Sequence, residues 1–141
     1  MDKYDVLKHY FGHSAFRQGQ EHLIDAVLAG RDVLGVMPTG GGKSLCYQVP
    51  ALMLPGVTLV VSPLISLMKD QVAALKGAGI PAAYINSSLT LEQLHTVYSC
   101  ARRGAYKLLY VAPERLEGEG FAGLAREVNV SLVAVDEAHC I

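Results

Sequence analysis

Along this chain, short apolar runs alternate with longer stretches in which apolar residues recur every three or four positions. The runs 33–37, 57–61, 81–85, 107–111 and 132–135 are mostly apolar, and turn residues bound them. They predict five buried strands. Between them, Leu64, Leu67, Met68, Val72 and Leu75 form a helical stripe that Gly77 and Gly79 end, with Ser62-Pro63 reading as its cap. Leu91, Leu94, Val97, Tyr98 and Ala101 form a second inward stripe, opened by a Thr90/Gln93 capping box and closed by Gly104. A shorter helix is expected over 121–127. Near the start, Leu23, Ile24, Val27 and Leu28 share one face of a helix expected over 17–29, and Gly30 stops it. The stretch before it interleaves aromatic and polar residues unlike a plain helix, with Phe11 and Phe16 as anchors. Strands alternating with helices over short turns predict an α/β fold, a parallel sheet with helices on both faces. In such a sheet the active loops gather at the C-terminal ends of the strands.

Composition narrows this picture. The 141 residues, 51% hydrophobic, make one domain at most with enough apolar material for a core. No apolar run is long enough to span a membrane and no signal-peptide pattern opens the chain, so a cytoplasmic protein without a membrane partner is expected. Cys46, Cys100 and Cys140 are widely spaced with no C-x-x-C pair, which predicts reduced, packing thiols. A net charge of −1 proposes no nucleic-acid partner by itself. Any such partner must be argued from motifs.

The densest motif is Met37-Pro38-Thr39-Gly40-Gly41-Gly42-Lys43-Ser44. Three glycines after a strand let backbone N–H groups turn inward, and a helix opening near Lys43 adds its positive end. This is a phosphate cradle of the P-loop pattern, with Met37 where its first glycine would stand. Lys43 is placed to reach the β- and γ-phosphates of a nucleotide, and the Ser44 hydroxyl to ligate magnesium. A second motif, Asp136-Glu137-Ala138-His139, closes the apolar run 132–135. Asp136 there suits magnesium held through water, and Glu137 suits a base that orients the attacking water. Upstream, Arg17 and Gln20 lie three apart, so a shared helix face would aim both at one polar target. Gln20 offers the donor and acceptor that an adenine edge requires. Plain solvation of both side chains explains the same spacing.

In order, Phe11-Gly12, Phe16-Arg17-x-x-Gln20, the glycine motif extended through Leu45-Cys46-Tyr47-Gln48-Val49-Pro50, Ser62-Pro63-Leu64-Ile65-Ser66-Leu67-Met68-Lys69-Asp70-Gln71-Val72, Val111-Ala112-Pro113-Glu114-Arg115-Leu116 and Asp136-Glu137-Ala138-His139-Cys140-Ile141 resemble one family. They resemble the first RecA-like domain of superfamily-two helicases, and within them the RecQ family. The Leu-Cys-Tyr-Gln and Ser-Leu-Met-Lys-Asp-Gln extensions select that family, and the likeness covers nearly the whole chain. The resemblance implies a P-loop NTPase fold and an ATP- and magnesium-dependent 3′ to 5′ DNA helicase. It implies that His13, Arg17 and Gln20 hold adenine, with Thr39, Gly40, Gly41, Gly42, Lys43 and Ser44 on the phosphates. It further implies that Ser62, Asn86, Ser87 and Arg115 contact DNA, single-stranded or at duplex junctions, and that His139 couples the two activities.

Residues 1–141 then correspond to motif 0 through motif II of that domain, incomplete at the C-terminus. The family continues with an aromatic-rich loop, a motif III strand and a second RecA-like domain carrying an arginine finger. The motif III strand sits between the P-loop strand and the strand before Asp136, so an empty slot in the sheet is expected. With it comes poor stability, and no unwinding by the segment alone. A silent nucleotide-binding module, or a P-loop ATPase acting on another kind of partner, shares the glycine and Asp-Glu motifs. Neither has a reason to carry Gln20 or Pro113-Glu114-Arg115.

Overall fold

The computed structural model describes residues 1–35 and 42–136, arranged as two compact units, Met1–Leu54 and Pro55–Ile141. The first is helical. Helix α1 (Lys3–Phe11) is opened by a reciprocal cap. The Asp2 carboxylate accepts from the Asp5 N–H at 2.9 Å and Asp5 from the Asp2 N–H at 3.1 Å. Gly12, at φ +72°, closes the helix through an N–H to the Lys8 carbonyl. This helix was not expected from the pattern of apolar residues. Its signals were the Asp2/Asp5 spacing and the buried pair Val6-Leu7.

Helix α2 runs Gln20–Leu28 and α3 Leu45–Met53. Val6, Ile24 and Val49, one from each helix, are buried together, with Phe11, Phe16, Leu28 and Leu52 packed around them. The two anchoring phenylalanines and the stop at Gly30 are as expected, since Gly30 at φ +82° returns its N–H to Val27. The helix starts three residues later than 17–29 implied. Arg17 precedes it, because the Arg17 carbonyl accepts the Gln20 N–H at 3.1 Å in a turn.

The apolar run before the glycines gives no strand over residues 31–35, and Leu34 is 85% exposed. A strand needs a ladder partner. Here Gly35 instead lies on Leu23, so close that a Cβ would stand 2.7 Å from its Cδ1. The rest of that run falls outside the described residues.

The second unit is a parallel sheet of β1 (Val57–Val61), β2 (Ala82–Ile85), β3 (Leu108–Val111) and β4 (Val130–Val135), in the order β2-β3-β1-β4. Helices α4 (Ile65–Gly77), α5 (Leu91–Arg102) and α6 (Glu119–Glu127) make the crossovers. The chain moves one way along the sheet from β1 to β2 and the other way afterwards. Right-handed crossovers therefore put α4 on one face and α5 with α6 on the other. Leu94, Ala101, Phe121 and Leu124 accordingly share a core with the alternate residues Leu59, Ala83, Ile85, Leu109 and Val111. The Thr90/Gln93 box forms as expected, at 2.9 and 3.1 Å.

Three local expectations fail. Leu67 and Leu91 point outward, 49% and 72% exposed, since each stripe is wider than the face its helix buries. Ser62 does not cap α4. Its hydroxyl accepts from the Leu64 N–H at 3.3 Å, a turn that delays the helix to Ile65. Val133 and Val135 of β4 are 56% and 51% exposed where two buried faces were expected, whereas its edge away from β1, unpaired among the described residues, agrees with the empty slot expected there.

Between Val57 and Thr58 the register with β4 shifts by one residue, leaving Ser131 extra. Gly56 lies against this bulge at φ +76°, and a Cβ there would stand 2.2 Å from the Asn129 carbonyl. Gly56→Ala is expected to cost about 2 to 4 kcal/mol, read by urea unfolding. A loss under about 0.5 kcal/mol would contradict this packing.

In the first unit, Lys3 Nζ stands 2.7 Å from Glu21 and 2.6 Å from Asp25, and the Tyr4 hydroxyl donates to Glu21. Lys3, then Tyr4, hold the Glu21 carboxyl below its ordinary value. The Asp5 N–H does the same for Asp2. A depressed carboxyl adds stability above its unfolded value and loses it as pH falls through the folded one. Helix α1 should therefore loosen below about pH 4. Amide exchange of Val6 and Leu7 between pH 6 and 3 checks this, and unchanged protection would refute it.

Candidate nucleotide site and sheet-edge loops

Two groups of candidate residues are assembled, one in each unit. In the helical unit, Gly42, Lys43 and Ser44 form the turn that leads into α3. The Leu45 N–H reaches the Gly42 carbonyl at 3.1 Å, so the Ser44 N–H precedes the first bonded donor of the helix. Ser44 stands at the N-cap with no side-chain cap bond, which leaves its hydroxyl unspent on the helix. Gly42 sits at φ +76°, in the left-handed region, where a Cβ would lie 2.6 Å from Gln20 Nε2. Lys43 is half-buried.

Gln20 connects this turn to the segment before α2. Its side chain is 1% exposed. Oε1 accepts the Arg17 N–H at 2.7 Å and Nε2 donates to the Gly42 carbonyl at 2.9 Å. The reading of Gln20 as a solvated side chain is thus excluded. A carboxamide has two donors and two lone pairs, and one of each is used here. Arg17 and His13 are exposed; the His13 N–H bonds back to Leu7 at 3.4 Å, past Gly12.

In the sheet unit, Ser62, Asn86, Arg115 and Asp136 follow the C-terminal ends of β1, β2, β3 and β4, so all stand along one edge. The Asp136 N–H continues the ladder to Val61 O at 2.9 Å, which fixes the carboxylate beside the end of β1. Asn86 is 1% exposed and works inward. Its Oδ1 accepts from the Ser88 N–H at 2.9 Å and the Ser88 hydroxyl at 2.5 Å, and Nδ2 lies 3.6 Å from Met68 Sδ. This turn holds Ser87 out in solvent.

Arg115 ends a 3-10 turn, Pro113–Arg115, and donates from Nη2 to the Asn86 carbonyl at 3.3 Å, joining the loops after β2 and β3. Its Nε is buried without a partner. Ser62 is buried, its hydroxyl taken by Leu64. Thr39, Gly40, Gly41, Glu137 and His139 lie outside the described residues.

The contacts of Lys3 and Tyr4 with α2 were missed in the sequence. Glu21 and Asp25, four apart on one helix, are a like-charge pair that is unfavourable without a cation from elsewhere, and that spacing was the available signal. Nor does Cys100 merely pack. Arg103 Nη2 lies 3.2 Å from its Sγ and, with Tyr106, lowers its thiol's ordinary value, whereas burial raises that of Cys46.

A parallel α/β sheet and, in the same chain, a glycine turn opening a helix are the parts of a partial RecA-like domain. The DEAD/DEAH box helicase family matches residues 17–141, and the chain belongs to that family. It is 53% identical over 137 residues to the ATP-dependent DNA helicase RecQ of Bacillus subtilis, covering 96% of this chain and 23% of that protein. It is 55% identical over 137 residues to the ATP-dependent DNA helicase RecQ of Pasteurella multocida, covering 97% and 22%. To the probable ATP-dependent DNA helicase RecS of Bacillus subtilis it is 46% identical, covering 96% and 27%. The chain therefore spans about a quarter of the length of the curated relatives it matches.

Gln20→Ala should free the Arg17 N–H and the Gly42 carbonyl together, at a cost of about 1 to 3 kcal/mol. Faster hydrogen exchange of the Arg17 amide, with Ala101 unaffected, is the expected reading. An Arg17 amide that exchanges as before would show that Gln20 does not hold this turn.

Proposed function

We propose that this chain is the ATP-binding segment of a RecQ-type, ATP-dependent 3′ to 5′ DNA helicase motor. The observation that carries the reading is the buried Gln20 carboxamide bonded to the carbonyl of Gly42. A glycine turn that only reversed the chain would need no such tie. A turn held in shape for phosphate beside a base-reading side chain would gain from one.

The residues fit a magnesium nucleotide. Gly42 leaves the space that a Cβ would fill, the Ser44 N–H leads α3, and the Ser44 hydroxyl is not used as a cap. Thr39, Gly40 and Gly41 complete the cradle in this reading, Lys43 meets the outer phosphates, and Ser44 with Asp136 would hold the ion. The bound magnesium nucleotide supplies the phosphoryl group and the neutralising charge. Glu137 orients the attacking water and His139 couples that event to DNA. Gln20, 1% exposed without nucleotide, reads adenine with its remaining N–H and lone pair once what covers it moves aside, aided by Arg17 and by His13 stacking.

The loops along the sheet edge take the sugar-phosphate backbone of single strands at duplex junctions. Ser87 is presented outward, half-buried Arg115 adds its charge, and Ser62 and Asn86 shape the turns. Backbone contact of this kind is independent of sequence and needs no basic overall charge. Among the described residues no helix is long and apolar enough to cross a membrane. Such a motor works in the cytoplasm, at the nucleoid if the source is bacterial.

ATP hydrolysis with and without single-stranded DNA tests the reading, on this chain and on this chain joined to a second RecA-like domain. The joined form should hydrolyse ATP faster with DNA. The chain alone should be slower by about 10³ or more without a trans arginine, and Lys43→Ala should abolish turnover in both. If DNA stimulates neither while Lys43 is still needed to bind nucleotide, a P-loop module without a DNA motor replaces this reading.

A further inference from the structure

The first turn of α2 carries Gln20 but has little of its own to hold it. Gly19, its N-cap, stands at φ +87° and offers no side chain. A helix of nine residues, as α2 is, does not persist on its own propensity. Ile24 anchors its inner side. The outer side is fixed by α1. Lys3 Nζ reaches Glu21, next in sequence to Gln20, and Asp25 one turn on, and the Tyr4 hydroxyl donates to the same Glu21 carboxylate. These contacts set the rotation of α2 about its axis at the residue beside Gln20.

Gln20 tolerates little rotation. Its two bonds, 2.7 Å to the Arg17 N–H and 2.9 Å to the Gly42 carbonyl, run to different segments. Nε2 already stands where a Cβ on Gly42 would meet it at 2.6 Å. A shift of about an ångström would move at least one of these bonds out of range. The Lys3 side chain is only 17% exposed, so this pairing is better shielded than a free surface ion pair.

We propose that Lys3 and Tyr4 are positioning residues for base recognition, acting through Glu21 to hold Gln20 in place. This rests on the reading of Gln20 as the adenine reader. Both residues precede Arg17, where the family match begins, so the device belongs to the segment upstream of that match. Neither residue touches the nucleotide.

The test is affinity for ATP and for GTP, measured by fluorescent-nucleotide titration on the whole chain. Lys3→Met should lower ATP affinity about two- to fivefold, the size expected of a half-shielded ion pair, and leave GTP affinity unchanged. Lys3→Arg should restore it, and Tyr4→Phe should show part of the loss. If Lys3→Met undocks α1, Glu21→Gln weakens the same contacts while removing one of the two negative charges of α2 and leaving Asp25 to Lys3, and the same selective loss is expected.

Equal loss for both nucleotides would reduce Lys3 to a stabilising contact and overturn the proposal. An unchanged ATP to GTP ratio would overturn it as well. Gln20→Ala separates the two levels. If it leaves the ratio unchanged, the base-reading role itself fails. If it abolishes the preference while Lys3→Met and Glu21→Gln do not alter it, only the positioning role fails.

Discussion

The carboxamide of Gln20 is the interaction on which the helical unit's arrangement depends. It is buried, its Oε1 accepts the Arg17 N–H on one side, and its Nε2 donates a hydrogen bond to the Gly42 carbonyl on the other. Two segments far apart in sequence are thereby tied at one side chain, over the core of Val6, Ile24 and Val49. A buried amide must have both functions met or the unit loses stability. The pairing therefore constrains the entry to α2 and the glycine turn together. That makes the turn a shaped site in place of a loose loop, and the capping and ion pairs of α1 reinforce it from outside.

The sheet unit follows a different logic. β1 is central, paired with β3 and β4, and its five residues are all buried. Parallel strands send their C-terminal ends to one edge, so the loops that follow them are neighbours whatever their sequence. Side-chain bonds then decide what each loop presents. Asn86 turns inward to Ser88 and Met68 and leaves Ser87 outside, and Arg115 closes on the Asn86 carbonyl. The loops after β2 and β3 are thus joined at one hydrogen bond.

Much of this was legible in the residues themselves. β1 was placed at its observed bounds because a run of β-branched residues between Gly56 and Ser62 admits one reading, and the Thr90/Gln93 box was explicit in its spacing. The glycine turn at Gly42, Lys43 and Ser44 leading into a helix was legible for the same reason, since glycine spacing reports backbone conformation. What was not legible depended on partners elsewhere. An apolar strand reads as buried on both faces, but exposure at Val133 and Val135 is set by what covers the face of β4 they share. The run 33–37 resembles a strand, yet none forms over 31–35, and Gly35 rests on Leu23. Helix α1 was hidden because its aromatic residues and lysines obscure the period, while its stability comes from Asp2, Asp5 and the pairing of Lys3 with a second helix. Asn86 was expected to contact DNA, and its inward bonds to Ser88 and Met68 depend on partners that its own turn does not reveal.

The most direct test is a crystal structure of the chain with an adenine nucleotide and magnesium bound. The account predicts phosphate oxygens within hydrogen-bond reach of the Ser44 N–H and of Lys43, with Gln20 still bonded to the Gly42 carbonyl while its remaining N–H and lone pair meet the adenine edge. A nucleotide held away from the Gly42-Lys43-Ser44 turn, or a Gln20 that binds adenine only by releasing Gly42, would contradict it.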